Sequence, residues 1–332
     1  MPSLDHPAIA HRLRILQADL RATLRAHMKS QEPAVWSRAV RDDAGDTIFG
    51  IDAKVEEILV QHCQEWGRIQ HFVLVAEGIE PGGIQFGKPG LGGPPFRLLV
   101  DPIDGTRGLM FDKRSAWCLA GVAPERGAAT RLADVEIAVM TELPTTRQAT
   151  SDVLWAVPGQ RTVGERHDLA TGAARPIAPV PSQQDHLRHG FATVCNFFQG
   201  GKELVGRLEE AIFARALGGW NPDKAEVYTD QYISSGGQLA ELVLGRDRFV
   251  LDVRPLVHRK LGVASSLVCR PYDLVTWRIA TAAGCVVTDP FGAPLNVPLD
   301  TVSDVAFAAY SNPALAARLQ PIVTEEVRRH LG

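Results

Sequence analysis

The apolar run Phe96-Arg97-Leu98-Leu99-Val100 leads directly into Asp101-Pro102-Ile103-Asp104-Gly105-Thr106. The run has the length and residue types of a buried strand reaching its end. Pro102 stiffens the turn after it, so two carboxylates three residues apart can converge on one point. Gly105 lets the backbone come close to whatever sits there, and Thr106 adds a hydroxyl. Acidic oxygens, a free carbonyl and a hydroxyl at a strand end suit a hard divalent cation such as Mg²⁺. Asp-Pro and Asp-Gly also serve as ordinary turn punctuation, so the meaning of the string depends on the rest of the chain.

One rival pattern is excluded at once. Haloacid-dehalogenase-type phosphatases carry Asp-X-Asp-Gly-Thr, with the first Asp as a covalent nucleophile. Here that position holds Pro102, which has no nucleophilic group.

The string resembles the signature of the inositol monophosphatase and fructose-1,6-bisphosphatase superfamily of Mg²⁺-dependent, lithium-sensitive phosphatases. Three further segments come in the expected order. Asp46-Thr47-Ile48-Phe49-Gly50-Ile51-Asp52 is similar to the family's Asp-x-x-Thr-x-x-Asp element, with Phe49 in place of Thr, and leads into a helix from Ala53 to Gln61. Phe72-Val73-Leu74-Val75-Ala76-Glu77-Gly78 is similar to its strand ending in Gly-Glu-Glu. Gly78 replaces the second Glu, and Glu80 stands two residues on as a candidate displaced substitute. Arg270-Pro271-Tyr272-Asp273 resembles its Trp-Asp, with Tyr272 for Trp, and Cys285 to Leu295 resembles the strand and turn beyond it. The resemblance spans about residues 46–297.

It implies a fold, an α/β (α+β) layered α/β/α/β/α sandwich, and a site. Glu77, Asp101 and the Ile103 carbonyl would hold one Mg²⁺. Asp101, Asp104 and Asp273 would hold a second, within a set of two to three ions. Thr106, hydrogen-bonded to Asp46, would activate the attacking water. The N–H groups of Gly105 and Thr106 would bind phosphate oxygens, and Arg107, Ser235 and Gly236 would lie beside the substrate. Water would displace the alcohol in line, with no covalent enzyme intermediate. Lithium inhibition and a homodimer are further implications. Each residue also has a plainer role open to it: Asp273 and Asp46 as helix caps, and Glu77 as a surface acid paired with an Arg.

The implied substrate is a small phosphorylated polyol, sugar or related metabolite. Where an inositol monophosphatase has a Glu seven residues before its last ligand, this chain has Ser266. His258, Arg259 and Lys260, with Arg254 and Arg270, form a basic cluster that either receives a second anionic group or is a solvated positive face. Fructose 1,6-bisphosphate and a nucleotide 3′-phosphate stay open as substrates. So does a non-catalytic regulatory role on the same scaffold.

Composition is consistent with a soluble enzyme. The chain has 332 residues, 45% hydrophobic and 22% charged, with a net charge of −3 and no strong basic stretch, which speaks against nucleic-acid binding. No apolar run reaches the roughly 18 residues of a membrane span. The N-terminal residues lack a secretory pattern, and the expectation is a cytoplasmic protein. Cys63, Cys118, Cys195, Cys269 and Cys285 sit among apolar neighbours and form no Cys-x-x-Cys pair, so they read as buried thiols. His186 and His189 have helical spacing but no second ligand pair, and read as surface residues.

Along the chain, periodicity predicts a helix over 7–28, strands over 71–76, 96–100, 115–123, 133–140 and 153–157, and a terminal helix from Pro313 to His330. Pro176 to Pro181 reads as a linker. The expected division is an N-terminal α+β half, residues 1–182, with most metal ligands, and a C-terminal α/β half, residues 183–332, with the last ligand and substrate-site residues.

Overall fold

The structure is a computed structural model and describes residues 4–30, 39–43, 46–77, 79, 82–88, 93–219, 221–264 and 267–332, without the side chains of 39–43 and 46–54. Glu80, Ser266 and the Asp46 and Phe49 side chains therefore lie outside the described residues.

Two sheets organise the chain. The larger has eight strands: β3 (Phe72–Ala76), β4 (Ile84–Phe86), β5 (Phe96–Asp104), β6 (Ala116–Pro124), β7 (Ile137–Leu143), β8 (Thr150–Ala156), β9 (Val163–Asp168) and β10 (Ala174–Ile177). Their order is β10-β9-β8-β7-β6-β5-β3-β4, antiparallel except for the parallel β3–β5 pair. The smaller sheet is β12 (Val227–Tyr228), β11 (Gly190–Val194), β13 (Asp247–Asp252), β15 (Phe307–Tyr310) and β14 (Val286–Thr288), in that spatial order. A separate antiparallel pair, β1 (Ala39–Asp43) and β2 (Asp46–Phe49), precedes them.

Side-chain alternation along each strand sets the layers. Phe72, Leu74, Leu98 and Val100 face the N-terminal helix α1 (His6–Ser30) and helix α2 (Gly50–Gly67), which cover one side of the large sheet. Val73, Val75, Leu99, Trp117 and Leu119 face the other way. They pack on α5 (Ser235–Val243) and α7 (Trp277–Ala283), and those helices pack on Val250 and Ala309 of the small sheet. The far side of the small sheet, Phe249, Leu251, Ala308 and Tyr310, is covered by α4 (Lys202–Leu217), α6 (Arg254–Leu261) and α8 (Pro313–Leu331). The result is an α/β/α/β/α sandwich whose middle layer is helical.

Several sequence expectations need adjustment. The second helix begins at Gly50 and runs to Gly67. Strand β5 does not stop at Val100 but continues to Asp104, and α3 (Thr106–Met110) comes next. Strand β10 takes up Pro176 and Ile177 of the proline-rich stretch expected to be a linker. His186 and His189 are not on a helix, and His189 sits at φ 59° just before β11. All five cysteines are free and buried. Among the described residues, no helix is long and apolar enough to cross a membrane.

Candidate metal centre and active site

A β-bulge is what brings the two aspartates together. Residues three apart on a regular strand point to opposite faces. Between the pairs Asp101↔Leu119 and Asp104↔Trp117, β5 advances three residues while β6 advances two. The extra residue shifts the alternation by one. Ile103 accordingly turns to the α1/α2 side with Val100. Asp101 and Asp104 both take the inner side, where Trp117 and Leu119 lie. A bulge is also where a strand tolerates proline, which accounts for Pro102.

Asp273 comes from the turn that precedes α7, and its Oδ2 accepts a hydrogen bond from the Arg270 N–H at 2.6 Å. It does not cap that helix. The helix begins at Trp277, with Thr276 in the capping position. Asp101, Asp104 and Asp273 each place one carboxylate oxygen so that all three lie within 4.8 Å of one another. Asp101 and Asp104 are buried and Asp273 is partly buried.

The middle-layer helix α5 presents its N-terminus to this cluster. Asp104 Oδ2 accepts from Ser234 Oγ at 2.8 Å and from the Gly236 N–H at 2.6 Å. Ser234 also caps the helix, its Oγ accepting from the Gly237 N–H at 2.8 Å. Gly236 is required here, because a Cβ would lie 2.5 Å from a Leu119 methyl and 3.0 Å from Asp104 Oδ2. Gly105, at φ 103°, makes the left-handed step between β5 and α3.

Glu77 adjoins the cluster. The Tyr272 hydroxyl donates to Glu77 Oε1 at 3.5 Å and so links the end of β3 to the Asp273 turn. The Thr106 hydroxyl donates to the Ile103 carbonyl at 2.9 Å, and the Ile103 N–H donates to Asp101 Oδ1 at 3.0 Å. Arg107 lies with its guanidinium 5.1 Å from the Phe198 ring centre, in the segment after β11.

Electrostatics separate this cluster from an ordinary turn. Burial pushes the Asp101 carboxyl well above the usual carboxylate range, and the charges of Glu77, Asp104 and Asp273 push it further. Burial raises Asp104 as well, opposed by its bonds to Ser234 and Gly236. Burial and then Asp104 raise Asp273. Arg254 tempers Asp104 and Asp273 but is already bound elsewhere: its Nε and Nη2 donate to both oxygens of Asp252, at 2.6–3.0 Å. Two further members of the expected basic cluster are also engaged. Arg270 bonds to Asp304 and the Val302 carbonyl, and Lys260 Nζ donates to the C-terminal Gly332 at 3.4 Å.

Asp252, Ser234 and the paired rings Phe197 and Phe198 were not singled out from the sequence. The one signal that could have found them was Asp252, which follows an apolar run just as Asp101 does.

No protein-family model matches this sequence, and no curated protein matches it. Solved structures do. The extragenic suppressor protein suhB from Bartonella henselae superposes with a TM-score of 0.62 at 15% identity, covering 96% of this chain and 99% of its own. An IMPase from Thermotoga maritima gives 0.62 at 16% identity, with 97% and 100% covered. A Leishmania major fructose-1,6-bisphosphatase in its holo form gives 0.62 at 13% identity, with 97% and 93% covered. The agreement extends over nearly the whole chain: this protein has the fold shared by these inositol monophosphatase-like and fructose-1,6-bisphosphatase structures.

Proposed function

We propose that this protein is a Mg²⁺-dependent phosphomonoesterase acting on a small phosphorylated polyol, sugar or related metabolite. The observation that carries the reading is the set of three carboxylates within 4.8 Å, none of them ion-paired to a side chain among the described residues. Buried like charges at that spacing are costly unless a cation neutralises them. An all-oxygen donor set suits Mg²⁺. Asp101, Asp104 and Asp273 would hold the two to three ions, joined by Glu77 and the Ile103 carbonyl. When bound, Mg²⁺ neutralises these groups and makes water nucleophilic at neutral pH.

The chain's own residues then orient the reactants. Ser234 and the Gly236 amide fix the Asp104 carboxylate, and Tyr272 positions Glu77. The Thr106 hydroxyl, beside Ile103, would orient the attacking water with Asp46. The Gly105 and Thr106 N–H groups would receive phosphate oxygens. Ser235, Gly236 and Arg107 would border the leaving group. Water adds one oxygen to phosphorus as the ester bond breaks, and the leaving alkoxide takes up a proton. The reading includes lithium inhibition, a homodimer, a cytoplasmic location and the division into halves at residues 1–182 and 183–332.

The test is inorganic phosphate release from a panel of monoesters and bisphosphates at millimolar Mg²⁺. The expected result is turnover that vanishes in metal-free protein and falls roughly a thousandfold in Asp104→Asn. Full activity in Asp104→Asn would discard that residue as a ligand. No release from any substrate, with Mg²⁺ bound, would overturn the reading.

A further inference from the structure

The opposite face of the large sheet carries a second set of unsatisfied charges, here positive. Arg21 and Arg25 lie one turn apart on α1, a step of about 6 Å. Ser151 and Leu169 lie on and just beyond the hairpin of β8 and β9, where Ser151 pairs in register with His167. Two residues of strand advance about 6.6 Å, so helix and hairpin match step for step. Arg21 Nη1 donates to Ser151 Oγ at 2.9 Å, and Arg25 Nη1 donates to the Leu169 carbonyl at 3.2 Å. His167, opposite Ser151 and two residues before Leu169, sits between these two contacts.

Both arginines therefore spend one donor on a neutral oxygen and form no ion pair among the described residues. A guanidinium has five N–H donors. The neighbouring acids are bound elsewhere. Glu165 Oε2 accepts from Arg14 at 2.6 Å. Glu142 accepts from Gln148 Nε2 at 2.8 Å and from the Asp152 N–H at 3.1 Å. Asp152 is held by both ends of the Arg166 guanidinium at 2.6 Å. Two buried nitrogens in the cluster, Arg25 Nε and His167 Nε2, have no hydrogen-bond partner. The His167 nitrogen also lies 3.4 Å from Glu165 Oε2, within ion-pair reach when the imidazole is protonated. An orphaned buried donor such as Arg25 Nε points to an absent partner such as an ion.

We propose that Arg21, Arg25 and His167 form a binding site for a compact oxyanion of the phosphate or sulfate kind, held between α1 and the β8–β9 hairpin. Guanidinium forks match such tetrahedral oxyanions bidentately. The anion would clamp the N-terminal helix to the sheet on the face opposite the carboxylate cluster. Burial and then Glu142 and Arg25 act on Arg21, with burial and Arg25 opposing its charge. Burial and then Arg21 hold His167 below its ordinary range, and a bound dianion would reverse that repulsion.

The test is a calorimetric titration of inorganic phosphate into metal-free protein, with chloride at equal ionic strength as the reference. Without metal the carboxylate cluster repels anions, so it does not compete. The expected result is saturable one-to-one binding, weakened at least about tenfold in Arg21→Gln/Arg25→Gln and unchanged in Asp104→Asn. Binding no stronger than chloride's, or equal binding in the double variant, would overturn the proposal. Should the double variant not fold, the His167 imidazole resonance of the unaltered protein decides. A rise in its titration midpoint with phosphate supports the site, and an unmoved midpoint rejects it.

Discussion

Strand β5 runs Arg97-Leu98-Leu99-Val100-Asp101, and strand β13 runs Arg248-Phe249-Val250-Leu251-Asp252. Each carries an apolar triplet into the sandwich and then reaches an almost wholly buried aspartate, Asp101 at 1% exposure and Asp252 at 0%. A carboxylate so placed needs a counter-cation. At β13 the chain supplies one two residues on: Arg254 is bonded to both Asp252 oxygens, tied to the Leu267 carbonyl at 3.1 Å, and lies 4.4 Å from the Phe197 ring centre. At β5 the neighbours are Glu77, Asp104 and Asp273, all acidic. Burial alone does not distinguish a structural acid from a ligand. What distinguishes them is whether the cation is built in or must come from outside.

The largest effects should come from removing a charge at each strand end. Arg254→Met leaves Asp252 buried and unpaired, which costs about 3–5 kcal/mol, and Asp252→Leu/Arg254→Met should recover most of that loss. Asp101→Asn should act in the opposite sense on metal-free protein, because it relieves repulsion within an acidic cluster. Its midpoint of thermal unfolding should rise without metal and fall relative to the unaltered chain in saturating Mg²⁺. Denaturation of the four proteins with and without Mg²⁺ makes the comparison. A loss in metal-free Asp101→Asn as large as that of Arg254→Met would end the distinction.

A smaller effect concerns pH. Carboxylates whose folded-state pKa lies above the unfolded value of about 3.9 bind protons more tightly when folded. Their favourable contribution is complete below that value and is lost as pH rises through the folded one. For Asp104 the folded value is pushed up to about 7, chiefly by burial. Metal-free protein should therefore lose stability from about pH 4 upward as the cluster deprotonates. Mg²⁺ replaces the protons, so the gain in unfolding temperature on adding it should widen between about pH 5 and 8. The widening should shrink in Asp101→Asn. A Mg²⁺ gain that does not vary with pH would show that these carboxylates are not the site of binding.

Much of the β5 end was legible because it is local. Six consecutive residues carry two proposed ligands, a carbonyl, a hydroxyl and the glycine of the left-handed step. The bulge was not legible: a proline two residues past an apolar run reads as the end of a strand, whereas β5 absorbs it and continues to Asp104. Asp273 was found through its resemblance, yet the plainer capping role open to it does not hold, since the turn from Pro271 delays the helix to Trp277. The Asp252–Arg254 pair has no local signature. An Asp-x-Arg spacing acquires meaning only when Phe197 and Leu267, distant in sequence, close over it. Reading Arg254 as part of a basic cluster, anion-receiving or solvated, therefore missed that its charge is spent on Asp252.

The subtlest difference between the two strand ends lies in how each carboxylate is oriented. Asp252 is held by a charged fork, Asp104 by neutral donors, Ser234 Oγ and the Gly236 amide. Neutral donors fix a carboxylate without cancelling its charge, which leaves that charge free to meet a metal ion. Ser234→Ala would remove the hydroxyl bond to Asp104 and the side-chain cap of α5 together. The cap is worth about 1 kcal/mol of stability, and losing a group that orients a ligand typically weakens metal binding by about tenfold or more. Ser234→Thr keeps the hydroxyl and should keep both. Half-saturation by Mg²⁺, tracked through unfolding temperature, should thus shift in Ser234→Ala and stay put in Ser234→Thr. If Ser234→Ala loses only the capping energy and binds Mg²⁺ unchanged, then the helix end supports the fold and Asp104 needs no help in facing the ion.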